Sequence, residues 1–314
     1  MKTNFLLALS YSLLFLLVSG CKLNGDNSAE LQQDEQNKLK QYLATNKITQ
    51  SPTADGLYYI EVAAGKGISP VDTDYALINY NLYLIDGSLV ETTDQTLASN
   101  NNLLPTTYLA GPKKVAINYL YKGFIEGLSK MKDSVGKANL IVPSKLALGE
   151  YSTNLIPSYS TLLMYVELVK VIKDPIADDK ASIKKWLDSL SLKPGDTTFV
   201  PGIYVKVDSL GSGDSITAYK TVTLQYRGRL LDGRYFSGSA STFYSFSFMT
   251  GISSTVPPPS TENIVTHLKK GSVVRAIVPY YWAFGAGGYI NSNYQVVIPL
   301  YSSLYYEIKI TNVQ

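Results

Sequence analysis

The sequence predicts an α+β protein made of two tandem domains, each an antiparallel sheet wrapped on a short helix and preceded by an N-terminal helix. Three observations predict this. An internal repeat runs through most of the 314 residues at a nearly constant offset, alternating apolar and polar runs meet Asp-Gly turns in both copies, and each copy closes on a long strand-like run. Self-similarity at a fixed offset has to be read before any fold, because it divides the chain into units that each bury their own core. With 45% hydrophobic and 17% charged residues the chain is neither a disordered polyelectrolyte nor a coiled coil. A charge balance of 28 − 25 = +3 without a long basic block gives no footing for nucleic-acid binding. One cysteine and one histidine exclude a disulfide framework, Cys-based zinc sites and most His-based catalysis.

The first element is a secretory signal over residues 1–20. Lys2 supplies the positive end, Phe5 to Val18 is an apolar run broken by Ser10, Tyr11 and Ser12, and small residues Ser19 and Gly20 precede Cys21. The run is short for a membrane span, although a membrane anchor or a buried N-terminal helix is the competing reading. Leu17-Val18-Ser19-Gly20-Cys21 resembles the bacterial lipobox. That resemblance implies a diacylated Cys21 at the mature N-terminus, held in a membrane of the cell envelope, the outer membrane being the expected one. Residues 21–28 then form a polar tether.

The remainder divides into 29–174 and 175–314, with the boundary near Lys173-Asp174-Pro175. Each half opens on a helix. Ala29 to Asn46 has Leu31, Leu39, Tyr42 and Leu43 as candidate buried positions, and Leu39-Lys40-Gln41-Tyr42-Leu43 recurs as Ile183-Lys184-Lys185-Trp186-Leu187. Tyr80 followed by Asp86-Gly87 recurs 146 residues later as Tyr226 followed by Asp232-Gly233. Alternating Ala76, Ile78, Tyr80, Leu82 and Leu84, and later Val222, Leu224 and Tyr226, lead into these hairpin signals. Lys122 to Met131 has helical spacing, with Phe124, Ile125, Leu128 and Met131 apolar. Leu162 to Val171 and Leu304 to Ile310 read as the closing strands. Thr242 to Pro259, ending in Pro257-Pro258-Pro259, reads as a loop.

In order, the first copy carries Tyr80, Asp86-Gly87, Val90-Glu91, Gly123-Phe124-Ile125-Glu126-Gly127-Leu128, Pro143, Leu146-Ala147-Leu148-Gly149 and Ile156-Pro157. The second carries Tyr226, Asp232-Gly233, Phe236-Ser237, Phe246-Ser247-Phe248, Pro279, Ala283-Phe284-Gly285 and Ile298-Pro299. Over roughly 56–171 and 202–313 this ordered set resembles FKBP-type peptidyl-prolyl cis-trans isomerases. Twin units behind a lipid tether are also similar to envelope lipoproteins of Bacteroidetes-type bacteria. The resemblance implies an aromatic cup for proline in each unit. In the second unit it would hold Tyr226, Phe236, Phe246, Phe284, Ile298 and Tyr306 as catalytic residues, with Ser237 binding substrate where the family has Asp. In the first, Tyr80, Glu91, Phe124 and Ile156 would be catalytic, and Val90, Leu120, Tyr121, Leu148 and Met164 would bind substrate. The family has Phe-Asp at Val90-Glu91, Trp at Phe124, Tyr at Leu148 and Phe at Met164. Thr261 falls where the second unit's floor Trp belongs.

The implied reaction asks little of a chain poor in His and Cys. Rotation about X–Pro crosses about 18–20 kcal/mol, and a dry pocket favours the twisted, less charge-separated amide without nucleophile, metal or cofactor. The expected partners are proline-containing exported polypeptides, with folding assistance as the role. The competing reading keeps both folds as a non-enzymatic chaperone or protein-binding module. Gly211-Ser212-Gly213-Asp214 and Gly285-Ala286-Gly287-Gly288 lack the Lys-Ser/Thr of a phosphate loop and read as turns.

Overall fold

The computed structural model describes residues 27–103, 110–190, 201–252, 259–290 and 296–314. Cys21, the signal and most of the tether lie outside them. The chain divides into two compact units, one ending at Asp174 and the other beginning at Pro175. Among the described residues no helix is long and apolar enough to cross a membrane.

The first unit begins with α1 (Ser28–Thr45), followed by strands β1 (Tyr58–Ala63), β2 (Tyr75–Leu84) and β3 (Leu89–Thr92). Helix α2 (Gln95–Asn100), β4 (Lys113–Ala116), α3 (Lys122–Lys130), β5 (Gly136–Val142) and β6 (Leu162–Ile172) complete it. The antiparallel sheet runs β1-β5-β6-β2-β3, with β4 also on β2. Period-2 patterning sets its inner face. Ala76, Ile78, Tyr80 and Leu82 of β2 and Leu162, Met164, Val166 and Leu168 of β6 join Phe124 and Leu128 of α3 in one core. The helix lies flush on β5 because its two glycines leave room. A Cβ on Gly123 would overlap the Val142 side chain, and one on Gly127 the Leu140 side chain.

The second unit repeats the plan. Helix α4 (Pro175–Ser189) precedes β7 (Tyr204–Ser209), β8 (Thr221–Leu230), β9 (Tyr235–Ser237) and β10 (Tyr244–Met249). Then come α5 (Thr261–Val265), β11 (Val273–Val278), the short pair β12 (Tyr289–Ile290) and β13 (Val296–Ile298), and β14 (Leu304–Val313). The sheet order β7-β11-β14-β8-β10, with β9 also on β8, reproduces the first sheet strand for strand. Both hairpins use the same Asx turn. Ser88 N–H donates to Asp86 Oδ1 at 2.9 Å, and Arg234 N–H to Asp232 Oδ1 at 3.0 Å.

The leading helices are held at equivalent points by acids 144 residues apart. Glu35 of α1 accepts from Ser144 N–H at 2.6 Å, Ser144 Oγ at 2.6 Å and Thr161 Oγ1 at 2.7 Å. Asp179 of α4 accepts from Ser303 N–H at 3.0 Å and Ser303 Oγ at 2.6 Å. Apolar packing adds to this in α4, where Ile183 and Leu187 cover Ile277 and Tyr305. Trp186 packs at a tilt against Tyr305, ring centroids 4.6 Å apart, and donates its indole N–H to Leu231 O at 2.6 Å.

Three local expectations need correction. Leu31, Leu39, Tyr42 and Leu43 of α1 are half-buried, not core, because a mostly polar helix touches the unit along a narrow stripe. The first unit has an additional short helix, α2, started by Asp94, whose side chain accepts from Leu97 N–H at 2.9 Å. Thr242 to Pro259 is not a continuous loop. Tyr244–Met249 is a strand paired with β8, its Phe246 and Phe248 alternating with serines.

Candidate functional site

In the second unit, β8, β9, β10 and β14 carry the aromatic side chains of Tyr226, Phe236, Phe246 and Tyr306. Tyr306 of β14 is fully buried and packs edge-on against Tyr226 of β8 (ring centroids 6.3 Å, 64°) and Phe236 of β9 (5.8 Å, 80°). Gly228 of β8 is what admits Phe236: it faces Tyr306 and Ser237 in the two ladders, and a Cβ there would overlap the Phe236 ring. Phe246 stacks on Phe248 at 6.1 Å, and Phe284 stacks on Tyr289 at 5.2 Å. Ile298 and Thr261, the first residue of α5, are both buried. Tyr226, Phe236, Ser237, Phe246 and Phe284 keep part of their surface in solvent. The Tyr306 hydroxyl has no hydrogen-bond partner, and burial drives its pKa far up, so it stays neutral.

The first unit places the corresponding residues together and closes them over. Tyr80, Val90, Leu120, Phe124, Leu148, Ile156 and Met164 are all buried members of the same core, with Tyr121 packed against it. Tyr121 lies 5.9 Å from Phe124, and burial of its unpartnered hydroxyl pushes its pKa up to about 12. Lys113 of β4 enters this core. Its ammonium donates to Glu91 Oε1 and to the Tyr80 hydroxyl at 3.4 Å, and it lies 5.5 Å from the Tyr80 ring centroid. The Lys113 and Glu91 side chains are only 6% and 9% exposed, so the pair is dry, and Glu91 Oε2 has no partner. Among the described residues no His, Cys, Asp and Glu side chains cluster as metal ligands would.

Residues 212–311 match the family model of FKBP-type peptidyl-prolyl cis-trans isomerases. That stretch is similar to this family. The FKBP-type isomerase FkpA of Escherichia coli K12 is 35% identical over 129 residues, covering 41% of this chain and 42% of the relative. FkpA of Aeromonas hydrophila is 32% identical over 163 residues, 50% of this chain and 55% of the relative. The chain thus spans about half the length of the curated relatives it matches. Against the crystal structure of Escherichia coli FkpA the identity is 28% and the TM-score 0.37, over 46% of this chain and 63% of that one.

The second and first units differ at a residue that sequence reasoning missed. In β8–β10 Phe246 sits opposite Leu224, and in β2–β4 Lys113 sits opposite Ile78. Leu224 and Ile78 are 146 residues apart, the offset of the repeat, so Lys113 occupies the register position of Phe246. A second exchange accompanies it. Leu82 and Val90 stand where the second unit has Gly228 and Phe236, so the volume moves from the wall to the strand beneath it. The first unit has exchanged two aromatic walls for a lysine and an aliphatic pair.

Proposed function

We propose that the chain is an exported, lipid-anchored peptidyl-prolyl cis-trans isomerase whose second unit carries the activity. The observation that carries this reading is that Tyr226, Phe236, Phe246 and Phe284 stay partly open to solvent, with Ile298 and Tyr306 buried, inside the stretch matched by the isomerase family. A proline ring seated among these faces loses water, and the amide beside it enters a low-dielectric wall. Twisting that amide breaks resonance and shrinks its dipole, so the twisted form loses less on desolvation than the planar one. Ser237, half-buried at the rim, is placed to hold a flanking carbonyl. No side chain has to ionise, which suits a cup whose innermost hydroxyl is held neutral.

The buried Lys113–Glu91 pair supports a different role for the first unit. A cup already filled by a side chain from its own sheet does not accept proline, so this unit serves as a binding or spacing module. Anchoring through Cys21 and clients among exported, proline-containing polypeptides complete the proposal, with folding assistance in the cell envelope as the role.

The test is isomerisation of a short proline peptide by the full-length mature chain. Acceleration over buffer is expected, reduced at least tenfold (about 1.4 kcal/mol) by Phe236→Ala with Trp fluorescence intact. No acceleration from folded protein refutes it. Fatty-acid labelling that persists in Cys21→Ser refutes the anchor.

A further inference from the structure

We infer that the outer edge of β10 is a strand-addition site for an extended segment of client polypeptide. The edge itself is the first observation. β10 ends its sheet, pairing with β8 on one side, and among the described residues no strand pairs with its other side. A six-residue edge exposes backbone donors and acceptors that only another extended chain can satisfy in register.

Charge is the second observation. Folded proteins blunt such edges with charges, prolines or inward-pointing ionic residues. Here β1 carries Glu61, β7 carries Lys206 and Asp208, β3 carries Glu91, and β4 carries Lys113 and Lys114 after Pro112. Thr242 to Gly251, holding β10, contains no charged residue and no proline. The one long edge without a deterrent also presents Phe243, Tyr244 and Met249 at 41%, 51% and 37% exposure. Its entry is fixed by Arg227, which donates to Ala240 O at 2.5 Å and lies 4.6 Å from the Phe243 ring.

Position is the third. Phe246, one of the proposed cup residues, packs its half-buried ring on Phe248 while its main chain forms the edge. A segment added to β10 therefore lies beside the cup, and backbone pairing is blind to side-chain identity, as a folding factor with many clients requires. The occupant is an uncharged, extended stretch of unfolded chain flanking a proline. This deepens the isomerase reading and rests on it for where the proline goes, but strand pairing is measurable without catalysis.

The experiment uses the full-length mature protein and an uncharged peptide of about ten residues with one proline, long enough at about 3.4 Å per residue to span β10. Two partners carry backbone N-methyl groups at odd or at even positions. Strand addition predicts that one methylated series binds at least about tenfold more weakly (about 1.4 kcal/mol) and the other nearly as well as the parent. Ser245→Lys/Ser247→Lys, with both side chains on the exposed part of β10, is expected to weaken the parent peptide similarly while leaving turnover of a short proline peptide unchanged. Equal binding of all three peptides, or unchanged binding to the double variant, overturns the inference. So does a dimer of this chain that the double variant dissolves, since the edge then belongs to a second copy. Absent turnover with intact alternation in binding refutes the cup alone.

Discussion

Removing one partner of the Lys113–Glu91 pair tests the closed first cup. Glu91→Ala leaves an ammonium in a core where its side chain is 6% exposed. The Tyr80 hydroxyl, 3.4 Å away, is a poor substitute for a carboxylate. Breaking a buried pair in this way costs about 3–5 kcal/mol, whereas replacing both members by apolar groups of similar volume is neutral or stabilising. Glu91→Ala is therefore expected to lower the first unit's urea midpoint by about 1.5–2.5 M at a slope of about 2 kcal/mol/M. The double variant Glu91→Leu/Lys113→Met recovers it. Both tryptophans, Trp186 and Trp282, lie in the second unit, so their fluorescence is an internal control that should not move. Hydrogen exchange of β2 and β4 peptides in urea reads the first unit. A Glu91→Ala midpoint within about 0.5 M of wild type at that slope, or a double variant as unstable as the single one, refutes a dry, structurally important pair.

Three further outcomes are expected. Gly228→Leu overpacks the second cup and costs about 1–3 kcal/mol; adding Phe236→Val restores stability but not isomerase turnover, and turnover in that double variant would contradict the role of Phe236. Asp179→Ala removes two charge-assisted hydrogen bonds, each worth about 1.5–3 kcal/mol, and should raise hydrogen exchange throughout α4; unchanged protection there would show that apolar packing alone holds the helix. Alkaline pH should destabilise both units, because Tyr121, pushed to about 12, and Tyr306, raised further, resist ionisation in the fold while the unfolded phenol releases its proton near 10. Their stabilisation is complete below pH 10 and lost as pH rises through the folded values, so Tyr306→Phe should flatten the second unit's decline in Trp-monitored melts between pH 10 and 12.

Much of the fold was legible where one local signal sufficed. The Asp86-Gly87 and Asp232-Gly233 turns, the alternation along β2 and β8, and the helical spacing of Lys122 to Met131 each have a short-range physical cause. β10 was misread because the prolines that follow it outweighed its Phe-Ser alternation, and pairing with β8 is a tertiary fact. Lys113 was invisible for a related reason. The repeat changes offset between the hairpin and Pro143, so only the strand registers align Lys113 with Phe246. Glu35 and Asp179 sit on largely polar helices, where a carboxylate reads as solvated until its hydroxyl partners arrive from over a hundred residues away. The candidate cup residues came from family resemblance, and the structure adds which of them remain open to solvent.

The most direct test rebuilds the first unit's plug in the second. Phe246→Lys/Ser237→Glu places a lysine and a carboxylate at the register positions of Lys113 and Glu91. In the full-length chain kcat/KM on a short proline peptide should fall at least a hundredfold, about 2.7 kcal/mol, with the fold intact by Trp fluorescence, while Glu91→Leu/Lys113→Met leaves it unchanged. Activity that survives the plug in the second unit, or that is lost with Glu91→Leu/Lys113→Met, would contradict the assignment of catalysis to the second cup.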